Sequence, residues 1–159
     1  MKHAALKALL PVAFGFMLLA QPAVALAQHK PASSIPSAVL VQPADLAADL
    51  KNAPRPKPLI LHVGFRILYT QAHIPGSEFV GPASDQSGLQ LLRNRVAKLP
   101  RSTPIVIYCG CCPWGDCPNI AAAYDALHAL GFTQLKVLYI ADNLGTDWID
   151  HGYPIAKGG

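Results

Sequence analysis

The sequence predicts an α/β fold in which a parallel sheet is flanked by helices. Strand-like apolar segments alternate with segments whose apolar residues recur at helical spacing, which is the pattern of strand–helix–strand units. The central segment, Ile105 to Tyr108, has four apolar or aromatic residues without polar alternation, as in a strand buried on both faces. We expect one compact domain, because 132 residues remain after a predicted leader of 27 residues.

The chain begins with the pattern of a secretory signal peptide, predicted over residues 1–27. Lys2 and Lys7 give a positively charged start, and the apolar run 8–20 follows. Small residues then end at Ala27, after which we expect cleavage. The sequence therefore predicts a periplasmic or secreted protein with no stable membrane anchor after cleavage, and an uncleaved anchor is the alternative.

Charge argues against a nucleic-acid partner. The formal net charge is +4 and falls to +2 once Lys2 and Lys7 leave with the leader. The longest basic cluster spans only Arg93 to Arg95. A nucleic-acid-binding surface normally needs a larger basic patch, so we expect no nucleic-acid partner.

The first part of the mature chain predicts one strand and one helix. Residues 28–37 are rich in Pro, Ser and Ala and predict a flexible linker. A short strand is expected at 38–41 and a helix at 43–51, where Asp45 lies favourably in the first turn. Alternate prolines in 53–58 exclude a helix and predict a surface connection.

The middle of the chain predicts two further strands around an irregular excursion. We expect a buried strand at 59–63, an irregular or briefly helical segment at 64–72 and a tight turn at 73–76. A short strand should follow at 78–80. Pro100 then ends a helix, whose apolar face consists of Leu89, Leu92, Val96 and Leu99.

The stretch 105–119 holds all four cysteines and joins the central strand to a helix. Asn119 is a candidate N-cap for that helix, and Gly131 provides its stop. Cys109 leaves the sheet directly after the strand, so we expect its thiol to face the helix N-terminus. There the backbone N–H groups and the helix dipole stabilise a thiolate by about 1–2 kcal/mol. A strand at 135–140 and a short helix near Trp148 complete the predicted chain.

Five segments in order resemble a rhodanese-like domain. Residues 59–64 resemble the family's strand ending in Asp-Val-Arg, and the central strand with Cys109 resembles the one that delivers the persulfide-forming cysteine. The other three are Tyr69 with Ala72-His73-Ile74-Pro75-Gly76-Ser77, the helix from Ala122 to Phe132, and the closing Trp148 to Pro154. The resemblance implies a five-stranded parallel sheet over 38–157 and sulfane-sulfur transfer through a persulfide on Cys109.

The sequence also departs from the family pattern. The cysteine loop carries an insertion of several residues, and Asn119 stands where an Arg is expected. The loop has no Lys or Arg, and Asp116 adds a negative charge, so backbone N–H groups would have to hold an anionic donor. The missing Arg argues against phosphatase chemistry. Three further positions differ from the family: His62, Gly64 and Leu68.

The candidate site residues follow from this placement. Cys109 is the candidate sulfur acceptor, and Cys111, Cys112 and Cys117 are candidate relay thiols or disulfide partners, with Cys112 and Cys117 flanking a turn. His62 ends a neighbouring strand and is a candidate proton holder or a core histidine. The expected loop and substrate-binding residues are Gly110, Trp114, Gly115, Asp116 and Asn119.

The sequence therefore predicts an exported sulfurtransferase that works with no cofactor and no resident metal. Its expected partners are a small sulfur donor, an acceptor thiol and a protein that keeps the thiols reduced, because free thiols do not persist unaided in an oxidising compartment. The alternative is a thiol redox or soft-metal protein that uses all four cysteines on the same scaffold. A non-catalytic binding module is the third hypothesis.

Overall fold

The computed structural model describes residues 32–52 and 57–159. The predicted signal peptide, residues 28–31 of the predicted linker and most of the Pro-rich connection lie outside these ranges. Within them, no helix is both long enough and apolar enough to cross a membrane.

Five strands and four helices alternate along the described chain. The strands are β1 (Leu40–Val41), β2 (Leu59–His62), β3 (Glu78–Phe79), β4 (Ile105–Tyr108) and β5 (Leu135–Leu138). The helices are α1 (Pro43–Asn52), α2 (Arg66–Gln71), α3 (Gln86–Val96) and α4 (Pro118–Ala129). Short 3-10 turns lie at Ala32–Ser34, Ser37–Val39 and Trp114–Asp116, and a π-helical turn at Gly145–Ile149.

The strands form one parallel sheet in the order β1-β5-β4-β2-β3. This confirms the predicted parallel sheet flanked by helices. Strand β4 is central and pairs with β2 on one side and β5 on the other. The carboxyl ends of all three strands therefore meet at one edge, the place where parallel sheets gather functional residues.

Side chains of the central strands point alternately to two separate hydrophobic layers, as the pleat of a strand requires. Ile105 and Ile107 of β4 belong to the layer that packs under α3 and α4. Val106 and Tyr108 belong to the other layer, with Leu46 of α1. Burial on both faces explains why β4 is uniformly apolar.

Two N-terminal predictions need correction. The strand predicted at 38–41 is confined to β1, because Ser37–Val39 forms a 3-10 turn. The described part of the predicted flexible linker packs on the domain, since Ala32 is fully buried and Ile35 is 6% exposed. Their apolar side chains join the layer under α4, so the folded domain begins before residue 38.

Hydrogen bonds from buried side chains brace the end of β4. The hydroxyl of Tyr108 accepts a hydrogen bond from the backbone N–H of Ile74 at 3.1 Å and lies 3.0 Å from Ser77 Oγ. The Tyr69 hydroxyl donates to the Ser77 carbonyl at 2.6 Å. The turn at 73–76 is thereby tied to the central strand, which holds the carboxyl edge of the sheet in place.

The C-terminal segment returns to the same edge. His73 and Ala156 exchange two backbone hydrogen bonds as an antiparallel bridge, and Gly158 N–H donates to the Thr70 carbonyl. Trp148 is fully buried, and its indole N–H donates to the Pro154 carbonyl at 2.9 Å. Residues 153–158 therefore run alongside α2 as part of the domain.

Candidate functional site

Cys109 follows β4 directly at the carboxyl edge of the sheet. Its side chain is only 2% exposed, so it is more buried than its strand-end position predicts. The residue nevertheless lines a cavity of about 600 Å³, together with Gly110, Cys111 and His62. Access to the sulfur is therefore through this cavity, which we call the cysteine cavity.

Gly110 makes the turn that brings Cys109 and Cys111 together. Its φ is +75°, a left-handed conformation that glycine adopts without strain. A Cβ at this position would stand 2.8 Å from the Cβ of Leu144, so the space also requires glycine. Leu144 N–H donates to the Gly110 carbonyl and fixes the turn against the segment after β5.

Three of the four sulfurs form a compact cluster. The Sγ atoms of Cys109, Cys111 and Cys117 all lie within 4.8 Å of one another, and those of Cys109 and Cys111 are 3.1 Å apart. Cys112 Sγ lies 3.0 Å from Cys111 Sγ but is not part of that group. All four side chains are free thiols here, so the disulfide between Cys112 and Cys117 stays an untested alternative.

Cys117, rather than Cys109, lies at the start of α4. Cys117 is the N-cap residue of the helix. The backbone N–H groups of Asn119 and Ile120 lie close enough to its sulfur to lower its pKa, although the side chain makes no capping hydrogen bond of standard geometry. The prediction that these amides face Cys109 is wrong. The insertion in the loop brings a second cysteine to the position that the helix dipole favours for an anion.

The pKa values of Cys109 and Cys117 shift in opposite directions. Hydrogen bonds from Cys109 and Cys111 lower the pKa of Cys117 most, and the amides of Asn119 and Ile120 lower it further against the effect of burial. For Cys109, the hydrogen bond with Cys111 lowers the pKa, but the hydrogen bond with Cys117 and burial outweigh it and raise the pKa. Of these two thiols, Cys117 is therefore the one that ionises more readily.

The thiols of Cys111 and Cys112 stay protonated in this arrangement. Hydrogen bonds with Cys109 and Cys117, followed by burial, raise the pKa of Cys111. Burial and the neighbouring Cys111 raise the pKa of Cys112. Each of these thiols becomes a strong nucleophile only after it loses its proton.

Asn119 is fully buried and holds the cysteine cluster from α4. Its Nδ2 donates to Cys109 Sγ at 3.4 Å, and its Oδ1 accepts from the backbone N–H of Ser84 at 2.9 Å. The predicted N-cap role is wrong, because α4 begins at Pro118, so that Asn119 lies inside the first turn of the helix and Cys117 is the N-cap. The side chain instead supplies a neutral donor at the position where the resembled family has Arg.

His62 is a buried, neutral part of the wall. Burial lowers its pKa from 6.5 to about 4, against the effect of its hydrogen bond with the backbone of Cys109. Its ring packs against Tyr69, Phe79 and Tyr108. The residue therefore positions the backbone of Cys109 and carries no charge near neutral pH.

Several other predicted loop residues lie away from the cavity. Trp114 packs against Tyr139, with ring centroids 5.1 Å apart, and its backbone N–H donates to Ala141. Gly115 and Asp116 continue the same 3-10 turn and are exposed. Of the five residues predicted to bind substrate, the structure places Gly110 on the cavity wall and the Asn119 amide against the sulfurs.

The rest of the wall comes from segments that sequence reasoning missed. They follow β2 and β5, the two neighbours of β4, and include Leu68, Gln71, Asn143, Ile149, Ile155 and Lys157. The predicted parallel sheet could have pointed to these segments, because the loops that follow adjacent parallel strands meet at the same edge of the sheet. Lys157 is the only Lys or Arg among the described residues that line the cavity.

A second cavity of about 670 Å³ lies between α1 and the C-terminal segment. Its walls include Ala47, Leu50, Trp148 and Tyr153. Among the described residues that line it, the titratable ones are Lys51, Lys57 and Tyr153. It contains no nucleophile of the cysteine type. The chemistry of this protein is therefore sought in the cysteine cavity.

Comparison with known proteins gives a structural likeness only. No protein-family model matches the chain, and no curated protein matches it significantly.

Solved structures do match. A rhodanese-like domain from Anabaena sp. is 22% identical with a TM-score of 0.55, covering 75% of this chain and 79% of that domain. A single-domain sulfurtransferase from Saccharomyces cerevisiae is 13% identical with a TM-score of 0.52, covering 71% of this chain and 89% of that chain. A Rhodopseudomonas palustris protein described as a possible tyrosine phosphatase is 20% identical with a TM-score of 0.54, covering 78% and 86%. The sheet, its strand order and these likenesses together establish that the chain has the rhodanese-like fold.

Proposed function

We propose that this protein is a sulfurtransferase that carries a sulfane sulfur as a persulfide on Cys109. The observation that supports this most directly is the position of Cys109, which ends the central strand and lines the cysteine cavity. Two further sulfurs lie close to it: Cys111 Sγ at 3.1 Å, and Cys117 Sγ within 4.8 Å. The likeness to a yeast sulfurtransferase agrees with this chemistry at the level of the fold.

Cys109 must lose its proton before it can attack a donor. Its hydrogen bond with Cys111 lowers its pKa, but its hydrogen bond with Cys117 and its burial outweigh this and raise it. Cys117 is a poor acceptor for the proton, because the pKa of Cys117 is lowered. The proton therefore leaves through the cysteine cavity, and the side-chain amide of Asn119, 3.4 Å from Cys109 Sγ, donates to the thiolate that remains.

The first half-reaction forms one S–S bond and breaks another. The Cys109 thiolate attacks the sulfane sulfur of the donor, and the donor's remaining group leaves with the electron pair of its S–S bond. Thiosulfate would release sulfite, and a small-molecule persulfide would release its thiolate. In the second half-reaction, an acceptor thiol removes the outer sulfur from Cys109.

The donor would be a small anion. Lys157 supplies a positive charge on the wall of the cavity, and Gln71 and Asn143 supply neutral polar groups. The cationic contact that the cysteine loop lacks therefore comes from the C-terminal segment. We do not propose phosphatase chemistry, because the loop 109–119 has no Arg to bind a phosphoryl group in the transition state.

Mass spectrometry tests this function. Protein reduced without oxygen and treated briefly with thiosulfate should gain the mass of one sulfur atom at early times, and cyanide should remove it. Cys109→Ser should abolish the adduct. Cys112→Ser is the matched control, because Cys112 is not among the cavity-lining residues, and it should still form the adduct. An adduct that persists in Cys109→Ser would refute Cys109 as the acceptor.

The second candidate function is soft-metal binding, favoured by the cluster of three sulfurs within 4.8 Å. Thiolates about 2.3 Å from a zinc ion lie about 4 Å apart, so a small expansion of this cluster would accept one. Metal analysis of protein isolated without oxygen or chelator separates the two functions. One bound metal ion per chain that blocks sulfur loading would favour this candidate.

We also propose that the chain is exported after cleavage following Ala27, on the pattern of its first residues. A dithiol partner in that compartment would then keep the cluster reduced. N-terminal sequencing of protein from the native cell, together with its compartment, tests this proposal. An intact N-terminus in the cytoplasm would overturn it.

A further inference from the structure

We propose that Cys111 resolves the Cys109 persulfide, forming a Cys109–Cys111 disulfide and releasing the outer sulfur as hydrosulfide. This inference rests on the proposed persulfide chemistry and assigns its product. The protein would then be a sulfane-sulfur reductase as well as a sulfur carrier. The argument depends on three features: the distance between two sulfurs, the turn between them and the shape of the cavity.

The distance favours Cys111 over the other cysteines. Cys111 Sγ lies 3.1 Å from Cys109 Sγ, which is already near the separation of reacting atoms in an attack. Cys111 also lines the cysteine cavity beside Cys109, whereas Cys112 and Cys117 do not. Cys111 is therefore the thiol that a persulfide on Cys109 meets first.

The turn at Gly110 brings Cys109 and Cys111 close enough to form a disulfide. Its φ of +75° bends the chain so that the side chains on either side of Gly110 point to the same place. A disulfide has a Cα–Cα separation of about 4.4–6.8 Å, a range that residues two apart in a bent chain readily reach. Closing the bond requires the two sulfurs to approach by about 1 Å, since an S–S bond is about 2.0 Å long.

The chemistry balances without a metal or an added oxidant. The Cys111 sulfur attacks Cys109 Sγ, the inner sulfur of the persulfide, and the proton of the Cys111 thiol passes to the departing outer sulfur. The S–S bond to the outer sulfur breaks, and hydrosulfide leaves with the electron pair into the cavity. In sum, thiosulfate and two cysteine thiols give sulfite, hydrogen sulfide and one disulfide, so the sulfane sulfur is reduced and the two cysteines are oxidised.

A further turnover needs an external dithiol reductant. The Cys109–Cys111 disulfide would close a ring of only three residues, so it would constrain the unfolded chain little and gain little stability from loop closure. A disulfide of this kind is readily reduced by thiol exchange. The reductant would reach it through the cysteine cavity.

A single-turnover experiment tests the proposal on the full chain, reduced and kept free of oxygen. After one equivalent of thiosulfate and an acid quench, the wild-type protein should release one hydrosulfide per chain and show a disulfide between Cys109 and Cys111 by peptide mapping. Cys111→Ser should retain the sulfur adduct and release no hydrosulfide until an external thiol is added. Cys111→Ala serves as a second variant of different polarity. Gly115→Ala, on the exposed end of the same loop, should release hydrosulfide as the wild type does.

The outcomes separate this inference from the proposed function. An adduct retained on Cys109 in both Cys111 variants and lost from the wild type supports both. Hydrosulfide release at an unchanged rate in the Cys111 variants overturns the resolving role and leaves the sulfurtransferase function standing. A disulfide that maps to Cys112 or Cys117 also overturns it. The absence of any adduct in Cys111→Ser, Cys111→Ala and wild type overturns the proposed function itself.

Discussion

Gly64 packs against the sulfur of Cys109 so closely that no side chain fits between them. A Cβ built on Gly64 would stand 2.8 Å from Cys109 Sγ and 3.1 Å from His62 Cε1. Real Cβ atoms do not approach other heavy atoms at 2.8 Å without a shift of one of the groups. The glycine therefore keeps the cysteine in place, at a position where the resembled family carries Arg.

The variant Gly64→Ala should displace the Cys109 sulfur. We expect a loss of about 1–3 kcal/mol in the free energy of unfolding, the usual result of overpacking a buried site. Persulfide loading from thiosulfate should fall about tenfold or more, since a shift of about 1.4 kcal/mol in a barrier changes a rate tenfold. Loading is measured as the cyanide-labile sulfur per chain at early times after thiosulfate is added.

A matched control is Gly115→Ala on the exposed end of the cysteine loop. A Cβ on Gly115 meets no atom within 4 Å, so this variant should load sulfur and unfold as the wild type does. Equal loading in Gly64→Ala and wild type would contradict the close packing.

The variant Cys117→Ser should speed the reactions of Cys109 near neutral pH. The hydrogen bond with Cys117 and the negative charge of Cys117 both raise the pKa of Cys109, so removing them should lower that pKa. Each pKa unit taken from Cys109 raises its thiolate fraction about tenfold, so the rate of alkylation by iodoacetamide should rise by about that factor. Following the modification of Cys109 by peptide mass against pH checks this. A rate profile identical to that of the wild type would show that Cys117 does not raise the pKa of Cys109.

The variant Asn119→Asp should lower sulfur loading while keeping the size of the side chain. The carboxylate still accepts the Ser84 N–H, but it replaces the Nδ2 donor beside Cys109 with negative charge. A like charge next to a thiolate raises the pKa of the thiol. We expect the pH midpoint of Cys109 alkylation to rise, with a comparatively small change in stability. Asn94→Asp on the exposed face of α3 is the control and should leave the midpoint unchanged.

Asn119→Ala separates the two contacts of this side chain. The Ala variant leaves the backbone N–H of Ser84 without its hydrogen-bond acceptor, and it also removes the group that donates to Cys109 Sγ. Loss of a buried hydrogen-bond partner costs about 1–3 kcal/mol, so urea unfolding should show this loss, unlike in the Asp variant. Equal stability of the two variants would mean that the Ser84 contact contributes nothing.

Acid should destabilise the protein through His62. Its pKa is about 4 in the folded protein and 6.5 ordinarily, so the unfolded chain takes up the proton first as pH falls. The contribution to stability is fully present above pH 6.5 and is lost between pH 6.5 and 4. The loss over that interval is roughly 3 kcal/mol, at about 1.4 kcal/mol per pKa unit.

Urea titrations across this pH interval measure the effect. His62→Gln, which cannot take up a proton, should show a flatter dependence of the free energy of unfolding on pH than the wild type. Parallel curves for the two proteins would exclude His62 as the source. The comparison uses the difference between the two curves, because Glu78 also contributes to the pH dependence. Its hydrogen bond with Arg95 lowers its pKa, so protonation of Glu78 at acid pH also reduces the free energy of unfolding.

Most of the sheet could be predicted from the sequence because burial on both faces leaves its strands uniformly apolar. Strand β4 has the predicted bounds, Ile105–Tyr108, for this reason. Strands at the edge of the sheet were harder, since β1 has two residues and Val39 belongs to a 3-10 turn instead. A short edge segment carries too few residues to distinguish a strand from a turn.

The position of Cys109 at the end of β4 could be predicted, but which cysteine lies at the start of α4 could not. Spacing alone puts any of the thiols near the start of α4, and the turn at Gly110 and the 3-10 turn at 114–116 decide that Cys117 occupies it. Lys157 was missed because its distance from Cys109 along the chain gives no local pattern. Only the fold brings the two to one cavity.

The bridge between His73 and Ala156 affects how the protein should be handled as well as how it folds. Ile155 and Lys157 flank that bridge and form part of the cysteine cavity wall. A purification tag fused directly after Gly159 would be attached two residues beyond Lys157, a residue of that wall. Kinetic work on this protein should place such tags elsewhere, or remove them, before a weak activity is ascribed to the cysteines.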